Sequence, residues 1–182
     1  MLTITVPGAE LWNDKDKVFV NVKTQTLSLE HSLVSISKWE SKWHKPFIGK
    51  EPKTNDQIVD YIKSMTTTQN VDPLVYTVLT AQNIKEVNEY IDDSMTATWF
   101  NDTNKQTKKT NEEQITSELI YYWMIALEVP FECQRWHLNR LMTLIRICNI
   151  KNKQPTKGNK KELLANNAAL NAARREKYGT SG

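Results

Sequence analysis

ITSELIYYWMIALEVPFECQRWHLNRLMTLIRICNI, residues 115–150, is the longest apolar-rich stretch of the chain. Pro130 divides it. A proline interrupts the helical hydrogen-bond ladder but is tolerated in a first turn, so the stretch predicts two helices that turn back on each other. Thr110-Asn111-Glu112-Glu113 has the form of a capping box and would start the first helix. Pro130 would occupy the first turn of the second.

Upstream, NDTNKQTKKTN (101–111) has no apolar residue and reads as a loop. Asn83 to Ile91 places Ile84, Val87, Tyr90 and Ile91 at helical spacing. Asp72 can cap a short helix with Pro73 at its first position. Thr54-Asn55-Asp56-Gln57 forms another capping box ahead of Ile58, Val59, Tyr61, Ile62 and Met65. From about His31, Leu33, Ile36, Trp39 and Trp43 fit one helical face, which Pro46 stops.

The N-terminus has the other period. Leu2, Ile4 and Val6 alternate with threonines up to Pro7-Gly8, the pattern of a half-buried strand. Glu10 to Trp12 and Val18 to Val22 flank the turn-like Asn13-Asp14-Lys15-Asp16 as a hairpin, and Thr24 to Leu29 adds a further short strand. The expected fold is therefore mainly α with a small N-terminal antiparallel β-hairpin or sheet (α+β), its helical part a helical bundle. One globular domain is expected over 1–150, with the β-element in 1–29 and helices in 30–150.

Residues 151–182 differ in composition. They carry eight Lys/Arg against Glu162 and Glu176, a net +6, which leaves residues 1–150 at −3 within the whole-chain +3. Leu163, Leu164, Leu170 and several alanines are too few to build a separate core. A basic tail, mobile or ordered by a partner, is expected.

Of the 182 residues, 39% are hydrophobic, enough for a core. No run approaches the roughly 20 apolar residues of a spanning helix, so no membrane association is expected. MLTITVPGAELW lacks a basic start followed by a long apolar stretch, so no signal peptide is expected. Two cysteines, Cys133 and Cys148, without a CxxC, fit free thiols in a reducing compartment.

No catalytic constellation emerges. Cys133 and His137 stand four apart on one expected helix face, but a zinc site needs three or four ligands and no second pair completes it. His31 and His44 lie far off in sequence without a partner pattern. A buried thiol and a helix-surface histidine is the preferred reading of the first pair. A Cys–His nucleophile would lack an orienting third residue. The five glycines form no phosphate loop or dinucleotide fingerprint. Neither an enzyme nor a cofactor is expected.

The aromatic residues around Tyr121, Tyr122, Trp123 and Trp136 read first as core. Their sharper reading is an apolar protein-binding face. The basic tail admits nucleic-acid binding, but it lacks interleaved aromatics other than Tyr178 and follows an acidic body, so nucleic acid is the disfavoured partner.

Three blocks, LSLEHSLVSISKWESKWHKPF (27–47), TQNVDPLVY (68–76) and YYWMIALEVPFECQRWHLNRLMTLIRICNIKN (121–152), together with LNAARREKYG (170–179), resemble small proteins of tailed bacteriophages. A small β-element leading into helices with a basic end is similar to the plan of siphophage tail assembly chaperones. That resemblance implies a non-enzymatic function in the host cytoplasm. The implied partners are the phage tape measure protein, whose apolar helical surfaces such chaperones keep from aggregating, and the tail tube protein. It supplies no site residue. From sequence pattern, Tyr122, Trp123, Trp136, Leu141 and Leu144 are the candidate wall of a groove that receives a partner helix. A virion head–tail connector or neck protein, a nucleic-acid-binding accessory protein using the basic tail, and a homo-oligomer are the open alternatives.

Overall fold

A computed structural model describes residues 1–14, 16–49, 51–100 and 114–152, together with Leu164, Asn167, Ala168, Asn171 and Arg175. The expected loop at 101–111, the capping box at 110–113 and most of the basic tail lie outside the described residues. The chain forms two compact units, Met1–Arg146 and Ile147–Gly182.

The first unit opens with four strands: β1 (Leu2–Val6), β2 (Ala9–Asn13), β3 (Val18–Val22) and β4 (Gln25–Leu29). β1 pairs with β4 and β2 with β3, both antiparallel. In every pair the residue numbers sum to 31, from Leu2↔Leu29 to Asn13↔Val18. The two sheets are thus one long ribbon in a single register, interrupted at 7–8 and 23–24. Pro7 has no N–H to donate to a ladder. At Gly8 an added Cβ would stand 2.7 Å from the Val22 carbonyl oxygen, so only glycine lets the strands approach there. The Gly8 N–H donates to Thr24 Oγ1 at 3.0 Å across the break.

The proximal half of the ribbon is anchored. Ile4, Val6, Leu27 and Leu29 are buried on one face. Thr67 N donates to Ser28 O along the outer edge of β4, and the Asn83 amide donates to Thr5 O at β1.

Helix α1 (Leu33–Trp43) is the centre of the helical part. Ser32 and Ser35 cap its start reciprocally, and His44 ends it in the left-handed conformation, φ 50°. Leu33, Ile36 and Trp39 point into the core. α2 (Asn55–Met65) starts at the expected Thr54–Gln57 capping box and packs on α1. The Trp39 indole N–H donates to Gln57 O at 2.9 Å, and that of Trp43 to Asp60 at 3.0 Å. Asp72 caps a short 3-10 turn, Pro73–Thr77, and α3 (Ala81–Asp92) packs on β1. α4 (Ser117–Ala126) packs on α1.

The α+β arrangement is as expected. The helical bundle is not confirmed, since α3 packs on a strand while α2 and α4 pack on α1.

The region after Pro130 differs from the single helix expected there. Pro130 precedes a 3-10 turn, Phe131–Arg135, and α5 begins only at Leu138, running to Asn152. Between them the backbone is extended: His137 bridges to Ser32, and Leu138 N donates to His31 O at 2.8 Å. This pairing takes the N–H that a continuous helix would use. α4 likewise starts later than 110–113, with Thr116 as its cap. In the second unit, Ile147 to Asn152 complete α5, and the described residues beyond it are helical.

Candidate functional site

α4 reads SELIYYWMIA, with Glu118 its only charged residue. A helix apolar all round is ordinarily enclosed on all sides. Here Ser117, Ile120 and Met124 are buried against the body, while Tyr122 and Ile125 are 63% and 62% exposed. These two stand one turn apart on the outer face. Half-buried Leu119 and Trp123 flank them, and Phe131 beyond the helix is 53% exposed.

The C-terminal end of α4 is set by backbone bonds. Val129 N donates to Met124 O and Glu128 N to Ile125 O, a Schellman closure with Glu128 at φ 54°. Val129 is buried beneath the closure, and Pro130 then turns the chain away. The Tyr121 hydroxyl donates to Gln134 Oε1 at 2.9 Å, tying the 3-10 turn back to the helix. Trp136 is half-buried, with the Arg140 guanidinium 4.3 Å from its ring.

At the N-terminal end the anchor is Glu40. It is buried, and its two carboxylate oxygens accept from Phe47 N and Ser117 N, each at 2.7 Å. One side chain thus fixes the end of α1, the segment after Pro46 and the first turn of α4.

The candidate groove wall is only partly at the surface. Tyr122 is exposed, and Trp123, Trp136 and Leu144 are half-buried. Leu141 is fully buried and belongs to the core with Leu138 and Ile145, which removes it from any docking wall. Ile125 and Phe131 were absent from the sequence-derived set. The spacing Tyr122, Ile125 on a helix without charge after Glu118 is the signal that would have found Ile125, whereas Phe131 lies beyond the helix in the 3-10 turn.

A polar cluster lies inside the body. Cys133 and His137 do not share a helix face, because one is in the 3-10 turn and the other in the extended bridge. Cys133 is buried, and burial raises its thiol pKa. His137 is also buried, which corrects its reading as a helix-surface residue. Its Nε2 lies 2.9 Å from Tyr90 O, and its Nδ1 accepts from Asn139 N at 3.3 Å. A carbonyl can only accept, so Nε2 carries the proton and Nδ1 caps α5.

His31, remote in sequence, places its ring 5.0 Å from that of His137 and its Nδ1 2.5 Å from the Tyr61 hydroxyl. Burial, then the neighbouring His137, pushes the His31 pKa down to about 3. Burial pushes the Tyr61 phenol well above its usual range, and burial with the Glu30 hydrogen bond does the same to Tyr90. A cleft of about 370 Å³, lined by Phe47, Ile91, Ile115, Leu138 and Met142 among others, opens above His31.

Among the described residues no group of three or more His, Cys, Asp or Glu is placed to hold a metal ion, and no helix is long and apolar enough to cross a membrane. The His31–Tyr61 and His137–Tyr90 hydrogen bonds tie the polar atoms of the cluster to one another. No protein-family model matches the chain, and no curated protein or solved structure matches it significantly.

Proposed function

We propose that the chain is a non-enzymatic binding protein whose α4 face receives an apolar helix of a partner, and that it acts as a bacteriophage tail assembly chaperone for the tape measure protein. The observation that supports the binding face is the pair Tyr122 and Ile125, both more than half exposed on a helix whose only charge is Glu118. Leaving such a face in water forgoes about 25 cal/mol for each Å² of apolar surface, which a partner helix would recover. The choice of partner rests on the sequence resemblance. In this reading α1, α2 and α4 act as a small helical bundle that holds the face rigid. The protein works in the host cytoplasm, with the tail tube protein as a second partner.

Co-expression with the tape measure protein tests the reading. The native chain keeps the tape measure protein soluble and co-purifies with it. Tyr122→Glu with Ile125→Glu leaves the chain folded, since both side chains are exposed, and abolishes the complex. A tape measure protein that stays insoluble beside the native chain, with no complex recovered, removes the proposal.

A further inference from the structure

The cleft above His31 has a chemistry that the α4 face does not use. Its volume of about 370 Å³ falls within the range of small-molecule sites. Its walls are mostly apolar, with Phe47, Ile91, Ile115 and Met142 among them. His31, Asp92 and Asn139 are the polar side chains that line it among the described residues.

The protons around His31 can be placed one by one. Ser35 Oγ donates to Ser32 O at 2.7 Å, which uses the hydroxyl hydrogen of Ser35. Its contact with the Tyr61 hydroxyl at 3.3 Å therefore takes the phenol hydrogen. The Tyr61 oxygen is left to accept from His31 Nδ1 at 2.5 Å. Only this arrangement gives every contact its own proton, so Nδ1 carries the imidazole hydrogen and Nε2 is bare. The neighbouring His137 cannot serve it, because its two ring nitrogens are engaged with Tyr90 O and Asn139 N. Among the described residues Nε2 has no hydrogen-bond partner, and the sealed, unpaired side-chain polar atom there is Ser117 Oγ. The bare nitrogen of the buried His31 therefore opens on the cleft that the ring lines.

The other polar side chains make the same demand. The Asn139 amide group spends its N–H bonds on Ile91 O at 3.0 Å and Asp93 O at 2.7 Å, which leaves its carbonyl oxygen. Asp92, ionised, accepts only. Among the described residues no lysine or arginine lines the cleft. Its side chains thus accept hydrogen bonds and offer none, and the most buried acceptor stands among apolar walls, where an unmet lone pair is costly.

We propose that the cleft binds a small neutral apolar molecule whose polar group is a hydrogen-bond donor, an N–H or O–H that meets His31 Nε2 while the rest lies against Phe47, Ile91, Ile115 and Met142. The low pKa of His31 keeps its ring uncharged in neutral solution, so the acceptor persists there. Asp92 disfavours an anion, and a molecule without a donor leaves Nε2 unmet.

Indole and benzofuran test this, since they share a size and a flat apolar body and only indole has an N–H. Titrated into the full isotope-labelled chain, indole binds and shifts the Nε2 resonance of His31 in the nitrogen NMR spectrum. Benzofuran binds at least about tenfold more weakly. His31→Phe keeps a flat ring in place without the acceptor, and brings the two affinities together. Met142→Trp, at a half-buried position on the wall, fills the cleft and weakens both, with the circular dichroism spectrum unchanged. The native chain alone, with no variant needed, shows the His31 proton on Nδ1. A native chain that binds neither compound, or both alike, overturns the proposal. So does a proton found on His31 Nε2, or a His31→Phe variant that still prefers indole. Binding of a tryptophan-containing peptide but not of indole would assign the cleft to a protein partner and overturn it equally.

Discussion

His31 is 2% exposed, and its ring meets those of His137 and Phe47 and the Tyr61 phenol. Its folded pKa of about 3 lies below the ordinary 6.5, so the unfolded chain takes up the proton first as the medium acidifies. The stability that His31 permits is complete above about pH 6.5 and is lost as pH falls from there toward 3, at up to about 1.4 kcal/mol per pH unit. Urea midpoints between pH 7.5 and 4.5 measure this, and His31→Gln makes the slope shallower. Glu128 gives a prediction of opposite sign. It sits at φ 54° in the closure of α4, a conformation that costs a side-chain-bearing residue about 1 kcal/mol. Glu128→Gly therefore raises the melting temperature, by the equivalent of about 0.5–1 kcal/mol. Neither residue advertised itself in the sequence. His31 had no partner within reach along the chain, and the turn at Glu128 lacks the glycine that marks such closures.

At the scale of elements, local chemistry was legible and long-range pairing was not. The alternation of Leu2, Ile4 and Val6, the Thr54–Gln57 box and Asp72-Pro73 each act within a few residues, and each element lies where its pattern put it. The break between the 3-10 turn and α5 depends on His31 and Ser32, over a hundred positions away, so no window around Pro130 contained it. The α4 face was half-legible. Tyr122 and Ile125 are exposed on it and only the first was singled out, while Leu141 is buried, because helical spacing alone does not say which face meets the body. Glu40 joins three elements through two backbone N–H groups. Glu40→Gln replaces one acceptor by a donor and destabilises the chain by about 1–3 kcal/mol, whereas Glu40→Ala orphans both buried N–H groups and costs more. Chemical denaturation of the two variants checks the order.

At the scale of the whole molecule, the Met1–Arg146 unit presents an apolar helix face at α4, with Tyr122 and Ile125 exposed on it. The bridge from His31 and Ser32 to His137 and Leu138 bears on when any of this exists. Translation proceeds at roughly 5–20 residues per second, so His31 is made on the order of 5–20 s before the residue that takes its carbonyl. The ribbon and the first three helices must wait with that end open until His137 and Leu138 have been made.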